Sequence, residues 1–198
     1  MSNAPVDHGR RRFLTIATSV VGGVGAIGAA VPFIASWNPS EKAKQAGAPV
    51  TANISKPEPG QLIRVEWRGK PVWVVKRTPE MLKTLEAVEG QLRDPGSDDD
   101  KQQPEYAKNQ HRSKKPEIFV AVGICTHLGC SPTYKMADFD AHVEGIASGF
   151  FCPCHGSTYD MAGRVFQGVP APRNLMIPPY MFQENDTVLL IGADEGTA

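Results

Sequence analysis

The 198-residue sequence lacks net charge, internal repeats and the length of a large multidomain enzyme. Its 21 Lys and Arg residues balance 21 Asp and Glu residues. No overall field would therefore draw the chain to nucleic acid or to an anionic membrane surface, and we expect no nucleic-acid partner. The length suits one modest domain with attachments, since domains usually have about 100 to 200 residues.

One segment lacks charged side chains altogether. It runs from Phe13 to Ser36, 24 residues, and as a helix it would reach about 36 Å, enough to cross a hydrocarbon core of about 30 Å. The three arginines at 10–12 should remain cytoplasmic. We predict a cytoplasmic N-terminus over 1–12 and a membrane signal-anchor over 13–36. A cleaved signal peptide is the alternative, although its apolar core usually has only about 7 to 15 residues.

The same arginines belong to an export motif. Residues 10–14 read RRRFL, which resembles a twin-arginine signal. That resemblance implies export of an already folded protein, as is needed when a cofactor is inserted in the cytoplasm. It points to a preassembled metal site.

The composition changes after the apolar segment. Residues 38–48 are small and polar with no apolar period, and we predict a flexible tether over 37–48. From residue 49 the pattern favours strands: Ile63, Val65 and Trp67 alternate with polar residues, and 72–75 reads as the returning strand of a hairpin.

Further elements follow the hairpin. Thr78 can cap a short helix that opens at Pro79, shows Leu82, Leu85 and Val88 on one face and ends at Gly90. Residues 118–124 and 187–191 read as strands, and the polar stretch 91–115 as a solvated surface loop. We predict a mainly β fold over 49–198, a small antiparallel sandwich or barrel with one short helix.

The four cysteines lie in two short boxes, at 125–130 (CTHLGC) and 152–157 (CPCHGS). Cys125 with His127, and Cys152 with His155, each offer one thiolate and one imidazole from a tight loop. Together they supply four ligands for a metal centre.

Three interpretations account for the boxes. Zinc accepts two Cys and two His, but it leaves Cys130 and Cys154 without a role. A framework of disulfides alone leaves His127 and His155 without one. A [2Fe–2S] cluster with two thiolates on one iron and two imidazoles on the other accounts for the paired ligands.

The boxes resemble, residue for residue, those of the Rieske iron–sulfur subunits of bacterial cytochrome bc1 complexes. The resemblance extends over nearly the whole chain and includes residues 169–175, VPAPRNL, which resemble the loop that covers one side of the cluster. It implies a Rieske head over 49–198 with a cluster-binding subdomain.

The resemblance also implies residue roles. Cys125 and Cys152 would bind the buried iron of one [2Fe–2S] cluster per chain, and His127 and His155 the outer iron. His155 would contact the quinol and accept its proton.

Further roles carried over from the family concern residues that do not bind iron. Cys130 and Cys154 would form a disulfide between the two loops. Ser157 would donate a hydrogen bond to a bridging sulfide, and Tyr159 to the Cys125 sulfur. Such bonds withdraw electron density and favour reduction.

For the whole protein the resemblance implies a proton-translocating ubiquinol:cytochrome c oxidoreductase. Its partners would be cytochrome b, cytochrome c1 and ubiquinol, in a dimeric complex of the bacterial inner membrane with the head periplasmic. The tether would let the head swing between the two cytochromes. The small subunit of a periplasmic oxidase of the arsenite type is the alternative, because it too can carry a twin-arginine signal and a disulfide.

Two features depart from the family pattern. The 24 residues between His127 and Cys152 are more than is usual, with 137–149 enlarging a surface loop. Val169 stands where many relatives have Gly. The first departure bears on contacts with partners and not on iron ligation.

Overall fold

A computed structural model describes residues 7–40, 43, 47–137, 139 and 146–194. The chain divides into two units, Met1–Gln45 and Ala46–Ala198. The described helices are α1 (His8–Ala35) and α2 (Pro79–Ala87), with 3-10 turns at Glu89–Gln91 and Glu105–Ala107. The described strands are β1 (Val50–Asn53), β2 (Leu62–Trp67), β3 (Lys70–Lys76), β4 (Ile118–Val122), β5 (Thr133–Lys135), β6 (Gly149–Phe151), β7 (Thr158–Tyr159), β8 (Tyr180–Gln183) and β9 (Val188–Ile191).

Helix α1 makes up most of the described residues of the first unit. It begins before the predicted span because the Asp7 carboxylate caps it, accepting from the backbone N–H of Gly9 at 3.0 Å and of Arg10 at 3.1 Å. None of its residues is buried. By length and composition it is apolar enough to cross a membrane, a test that N-terminal signal sequences also pass. Of the predicted tether, residues 41, 42 and 44–46 lie outside the described residues.

The predicted hairpin is β2–β3, with Leu62 opposite Val75 and Trp67 opposite Lys70. Its two-residue turn consists of Arg68 and Gly69, which have φ of 52° and 68°. Two consecutive positive φ values characterise the turns that match the twist of paired strands.

The predicted short helix is α2. Thr78 Oγ1 accepts from the Met81 N–H at 3.3 Å, and Pro79 occupies the first turn. The buried side chains are those of Met81, Leu85 and Val88, whereas Leu82, expected on the same face, is only half-buried.

The described strands form three antiparallel three-stranded sheets, with orders β1-β9-β8, β2-β3-β4 and β5-β6-β7. The expected mainly β, antiparallel class is thus confirmed. All five residues of β4 are buried. Trp73 of β3 stacks on Phe150 of β6, with ring centroids 5.1 Å apart, so two of the sheets meet in one core beside the second cysteine box.

The interpretation of 91–115 as a solvated loop was wrong. This segment buries, among others, Leu92, Ser97, Gln103, Ala107 and Arg112. Arg112 can be buried because it bonds to backbone groups elsewhere in the head, for example by donating to the Leu175 carbonyl.

The interpretation of 137–149 as an enlarged surface loop was also wrong for the described part. Phe139, Ile146 and Ser148 are buried, and Gly149 begins β6. Phe139 and Ile146 belong to a small apolar cluster with Phe166. Positions 138 and 140–145 lie outside the described residues.

The close approach of Gly192 to Trp67 gives a stability prediction. A Cβ at Gly192 would overlap the Trp67 indole, and φ there is 101°. We expect Gly192→Ala to lower the free energy of unfolding by about 3 kcal/mol, from strain plus overpacking. Gly69→Ala is the matched control: φ is 68° and no atom lies within 4 Å, so it should cost only about 1 kcal/mol. Chemical denaturation followed by circular dichroism measures both, and equal losses would contradict the overlap.

Candidate metal centre

The first cysteine box forms a closed hook just after β4. The Cys125 N–H donates to the Cys130 carbonyl at 2.7 Å, and the Gly129 N–H donates to the Cys125 carbonyl at 3.1 Å. These bonds bring the two ends of the box together. The thiol of Cys125 is turned into the core, where only 2% of the residue is exposed.

The second box forms a hook of the same kind between β6 and β7. Phe151 pairs with Thr158 at the base of this hairpin. The Cys152 N–H donates to the Ser157 carbonyl at 2.8 Å, and the Gly156 N–H donates to the Cys152 carbonyl at 2.9 Å. Both hooks thus present a buried cysteine and a histidine from a loop fixed at its ends.

A disulfide joins Cys130 to Cys154 and ties the hooks together, the pair that the family resemblance implied. It closes a loop of 24 residues, worth about 3.5 kcal/mol by the chain-entropy model. The Sγ atoms of Cys130, Cys152 and Cys154 lie within 4.8 Å of one another. That trio is not a metal site, because two of its sulfurs are bonded to each other and only Cys152 can become a thiolate.

The four predicted ligands come together at the hooks with an asymmetric exposure. Cys125 and Cys152 are buried and outside any disulfide. His127 is half-buried and His155 is exposed. The two imidazole rings lie edge to face, with centroids 4.7 Å apart and planes at 84°.

One ring nitrogen shows that this pocket fits a metal. His127 Nδ1 is buried and has no hydrogen-bond partner among the described residues. A buried polar atom without a partner is rare because it loses the hydration that it had in the unfolded chain. A metal bound to this nitrogen would remove that penalty, and two thiols with two imidazoles match the ligand set of a Rieske cluster.

The buried Cys152 thiol must lose a proton before it can bind a metal. Burial raises the pKa of Cys152, and its hydrogen bond with Cys125 raises it further. The Cys152 thiol therefore keeps its proton at neutral pH when no cation is near. Cluster binding must displace that proton, because a thiolate is the ligand.

Tyr159 contacts the first hook from β7. Its hydroxyl oxygen lies 3.2 Å from Cys125 Sγ and accepts the Thr126 N–H at 3.1 Å. The Tyr159 hydroxyl hydrogen can point to this sulfur or to Thr126 Oγ1, which lies 3.3 Å away, and a cluster-bound thiolate would be the stronger acceptor. Burial and the neighbouring Cys125 raise the pKa of Tyr159, so it stays a donor.

Ser157 connects the second hook to the 169–175 loop. Its fully buried hydroxyl accepts the Ala171 N–H at 3.0 Å. Among the described residues its own O–H has no acceptor, so it can donate to a group bound between the hooks. The structure thus adds to the predicted donor role an acceptor bond that fixes the loop.

Sequence reasoning missed residues that brace this loop. Thr126 Oγ1 donates to the Arg173 carbonyl at 2.6 Å, and Arg173 Nε lies 3.2 Å from Asp99. Asn174 Oδ1 accepts the Val165 N–H, and its Nδ2 donates to the Asp94 carbonyl. Arg173 and Asn174 could have been found from the sequence, because both lie in the VPAPRNL segment and no partner had been assigned to either side chain.

Comparisons with known proteins identify the family. A model described as the Rieske [2Fe-2S] domain matches residues 105–180, and one described as the ubiquitinol-cytochrome C reductase Fe-S subunit TAT signal matches 1–40. The ubiquinol-cytochrome c reductase iron-sulfur subunit of Allochromatium vinosum is 58% identical over 202 residues, 100% of this chain and 95% of the relative. The chain belongs to this family of Rieske subunits.

A second curated relative agrees with this assignment. The corresponding subunit of Bradyrhizobium diazoefficiens is 44% identical over 188 residues, 94% of this chain and 96% of the relative. A solved chain of a hyperthermophilic respiratory Complex III is similar at 27% identity, with a TM-score of 0.46 and coverage of 88% of this chain and 98% of that one.

Membership confirms several expectations. This Rieske subunit has a [2Fe–2S] cofactor and belongs to ubiquinol–cytochrome c reductase, the cytochrome bc1 complex, where it transfers electrons and has cytochrome partners. The twin-arginine signal is confirmed as well. That signal and the apolar helix α1 fit a membrane-anchored subunit.

The Tyr159 contact gives a prediction for the Rieske centre. Tyr159→Phe removes a hydrogen bond to the Cys125 sulfur, so the cluster should remain bound while its reduction potential falls. Redox titration followed by circular dichroism measures the shift. Tyr134→Phe is the matched control, because the Tyr134 hydroxyl donates to the Gly60 carbonyl instead. An unchanged potential in Tyr159→Phe would rule out the assigned bond.

Proposed function

We propose that this subunit takes one electron from ubiquinol at the quinol-oxidation site of cytochrome b, while His155 accepts a proton, and passes the electron to cytochrome c1 by movement of the head. The observation that carries the proposal is the pair of disulfide-linked hooks, each with one buried free cysteine and one histidine nearer the surface.

Four residues would hold the cofactor. Cys125 and Cys152 are the ligands of the inner iron, and His127 and His155 those of the outer iron. The unpartnered Nδ1 of His127 and the two buried thiols support this assignment. When bound, the cluster supplies a one-electron acceptor of high potential, because two neutral imidazoles leave it less negative than four thiolates would.

His155 is the residue that meets the quinol. It is exposed, whereas the other three ligands are buried or half-buried. A quinol hydroxyl can therefore reach its imidazole, donate a hydrogen bond and transfer a proton to the ring nitrogen that does not bind iron. The family resemblance assigns the same role.

Movement of the head would connect the two cytochromes. The chain divides into an N-terminal unit and a head unit, and the polar residues 37–48 between α1 and β1 suit a tether. Such a joint would let the head approach cytochrome b and cytochrome c1 in turn, since electron transfer weakens steeply with distance.

The location follows from charge and redox chemistry. Residues 1–12 would stay cytoplasmic with their arginines, α1 would make a single pass through the inner membrane, and the head would lie in the periplasm. The Cys130–Cys154 disulfide suits that oxidising compartment. The complex would be a dimer that oxidises ubiquinol.

A membrane assay tests the function. Membranes from a strain without this subunit should lose quinol-dependent reduction of cytochrome c, and the wild-type chain should restore it. Cys125→Ser should not, and it should also abolish the electron paramagnetic resonance signal of a cluster with mixed nitrogen and sulfur ligands. Activity that survives loss of the subunit would favour a periplasmic oxidase of the arsenite type, and stoichiometric zinc in place of iron and sulfide would exclude the cluster.

Stiffening the tether tests the movement. Three prolines inserted between Glu41 and Ala48 should slow turnover and leave the cluster spectrum unchanged, because proline restricts the backbone. Three glycines inserted at the same point control for the added length. Full turnover of the proline variant would remove the case for movement.

A further inference from the structure

A group of buried charges lies outside the ligand set. Among the described residues the buried charged side chains are Arg77, Arg112, Asp160 and Arg164, each no more than 3% exposed. The described interior of the head thus contains three guanidinium groups and one carboxylate. Buried ions are normally paired, so this excess of positive charge requires an explanation.

The single carboxylate is committed to one arginine. Asp160 Oδ2 lies 2.7 Å from Arg164 Nε, and both side chains are fully buried. Asp160 Oδ1 accepts the N–H groups of Ala162 and Arg164. This pair stabilises the turn that follows Tyr159, and it leaves no carboxylate oxygen in contact with the other two arginines.

Arg112 is held by neutral acceptors. The described residues give it no carboxylate partner, and its Nε is buried without a hydrogen bond. Its other nitrogens donate to oxygens of Gln102, Gln103, Ala162, Gly163 and Leu175, at 2.8 to 3.4 Å.

Arg77 is bound in the same way. It donates to the carbonyls of His111, Pro116 and Met161 and to the Ser113 hydroxyl, at 2.7 to 3.1 Å. Burial lowers the pKa of Arg77 to about 10 and that of Arg112 to about 9. Both remain charged at neutral pH, and their carbonyl partners require the N–H donors.

Arg77 and Arg112 donate hydrogen bonds to backbone carbonyls in segments next to the candidate metal centre. Tyr159 touches the Cys125 sulfur, and the carbonyls of residues 161–163 follow it directly in the chain. Leu175, also bound by Arg112, ends the loop that Ser157 fixes through Ala171. Arg112 thus joins the segment after the second hook to the loop beside the site.

We propose that Arg112 is a positioning residue whose unpaired buried charge raises the reduction potential of the cluster. The proposal rests on the proposed binding of that cluster at the two hooks. Reduction adds one negative charge to the site, and a fixed positive charge in the protein interior favours it. Asp160 and Asp94 lie near enough to offset part of this field, but neither carboxylate forms a hydrogen bond with Arg112.

Two substitutions of Arg112 separate charge from geometry. The full-length, cluster-loaded protein in detergent is titrated by circular dichroism. Arg112→Gln, which can still donate hydrogen bonds but is neutral, should shift the potential downward. Arg112→Lys keeps the charge and should stay close to wild type. An unchanged potential in Arg112→Gln, or equal falls in both variants, would overturn the proposal.

Asp160→Asn tests the proposal through a shift of the reduction potential in the opposite direction. It removes the one buried anion and should shift the potential upward, whereas damage to the fold would lower it or release the cluster. If Arg112→Gln fails to fold, the direction of the Asp160→Asn shift decides alone, and a fall or no change overturns the proposal. Iron and sulfide are measured first in the wild type: their absence defeats the proposed function, whereas a bound cluster with unresponsive potentials defeats only this inference.

Discussion

The closure of two short hooks around buried thiols is the constraint on which the rest of the head depends. Each hook is fixed by two backbone hydrogen bonds between its own ends, and the disulfide fixes one hook to the other. Isolated loops of six residues could not hold four ligands in register, since the cost of ordering them would be too high. The sheets around β4 and β6 supply the anchor points.

The site divides its tasks by depth. The thiols of Cys125 and Cys152 are buried, where water is excluded and hydrogen bonds from neighbouring hydroxyls are strong. The imidazole of His155 is exposed to solvent, where a proton can enter or leave. The buried arginines extend the same logic beyond the ligands. They bind the carbonyls of Met161, Ala162 and Leu175, in the segment that follows Tyr159 and at the end of the VPAPRNL loop.

Local patterns predicted the local elements well. The β2–β3 hairpin, the capped helix α2 and the strands β4 and β9 follow from alternation, turn residues and a Thr-Pro start, all of which act within a few residues. The cysteine boxes predicted the site because their chemistry is rare. The resemblance supplied the disulfide pairing, which spacing alone left open.

Long-range polar burial could not be predicted in the same way. Arg112 lies in a stretch whose composition is that of a solvated loop, and its partners at Gly163 and Leu175 are distant in sequence. Polarity indicates exposure only when the fold offers no backbone acceptors to replace water. The Asp7 cap and the buried Phe139 were missed because neither continues a periodic pattern.

The register of β5 and β6 has a consequence for how this fold tolerates insertions and deletions. Thr133 pairs with Phe151 beside the second hook, and Lys135 pairs with Gly149 at the other end. The connection between these strands therefore departs from the end of the hairpin that points away from the proposed iron ligands. A change of length there would leave the spacing of the four proposed ligands unaltered, provided that the buried Phe139 and Ile146 keep their packing against Phe166.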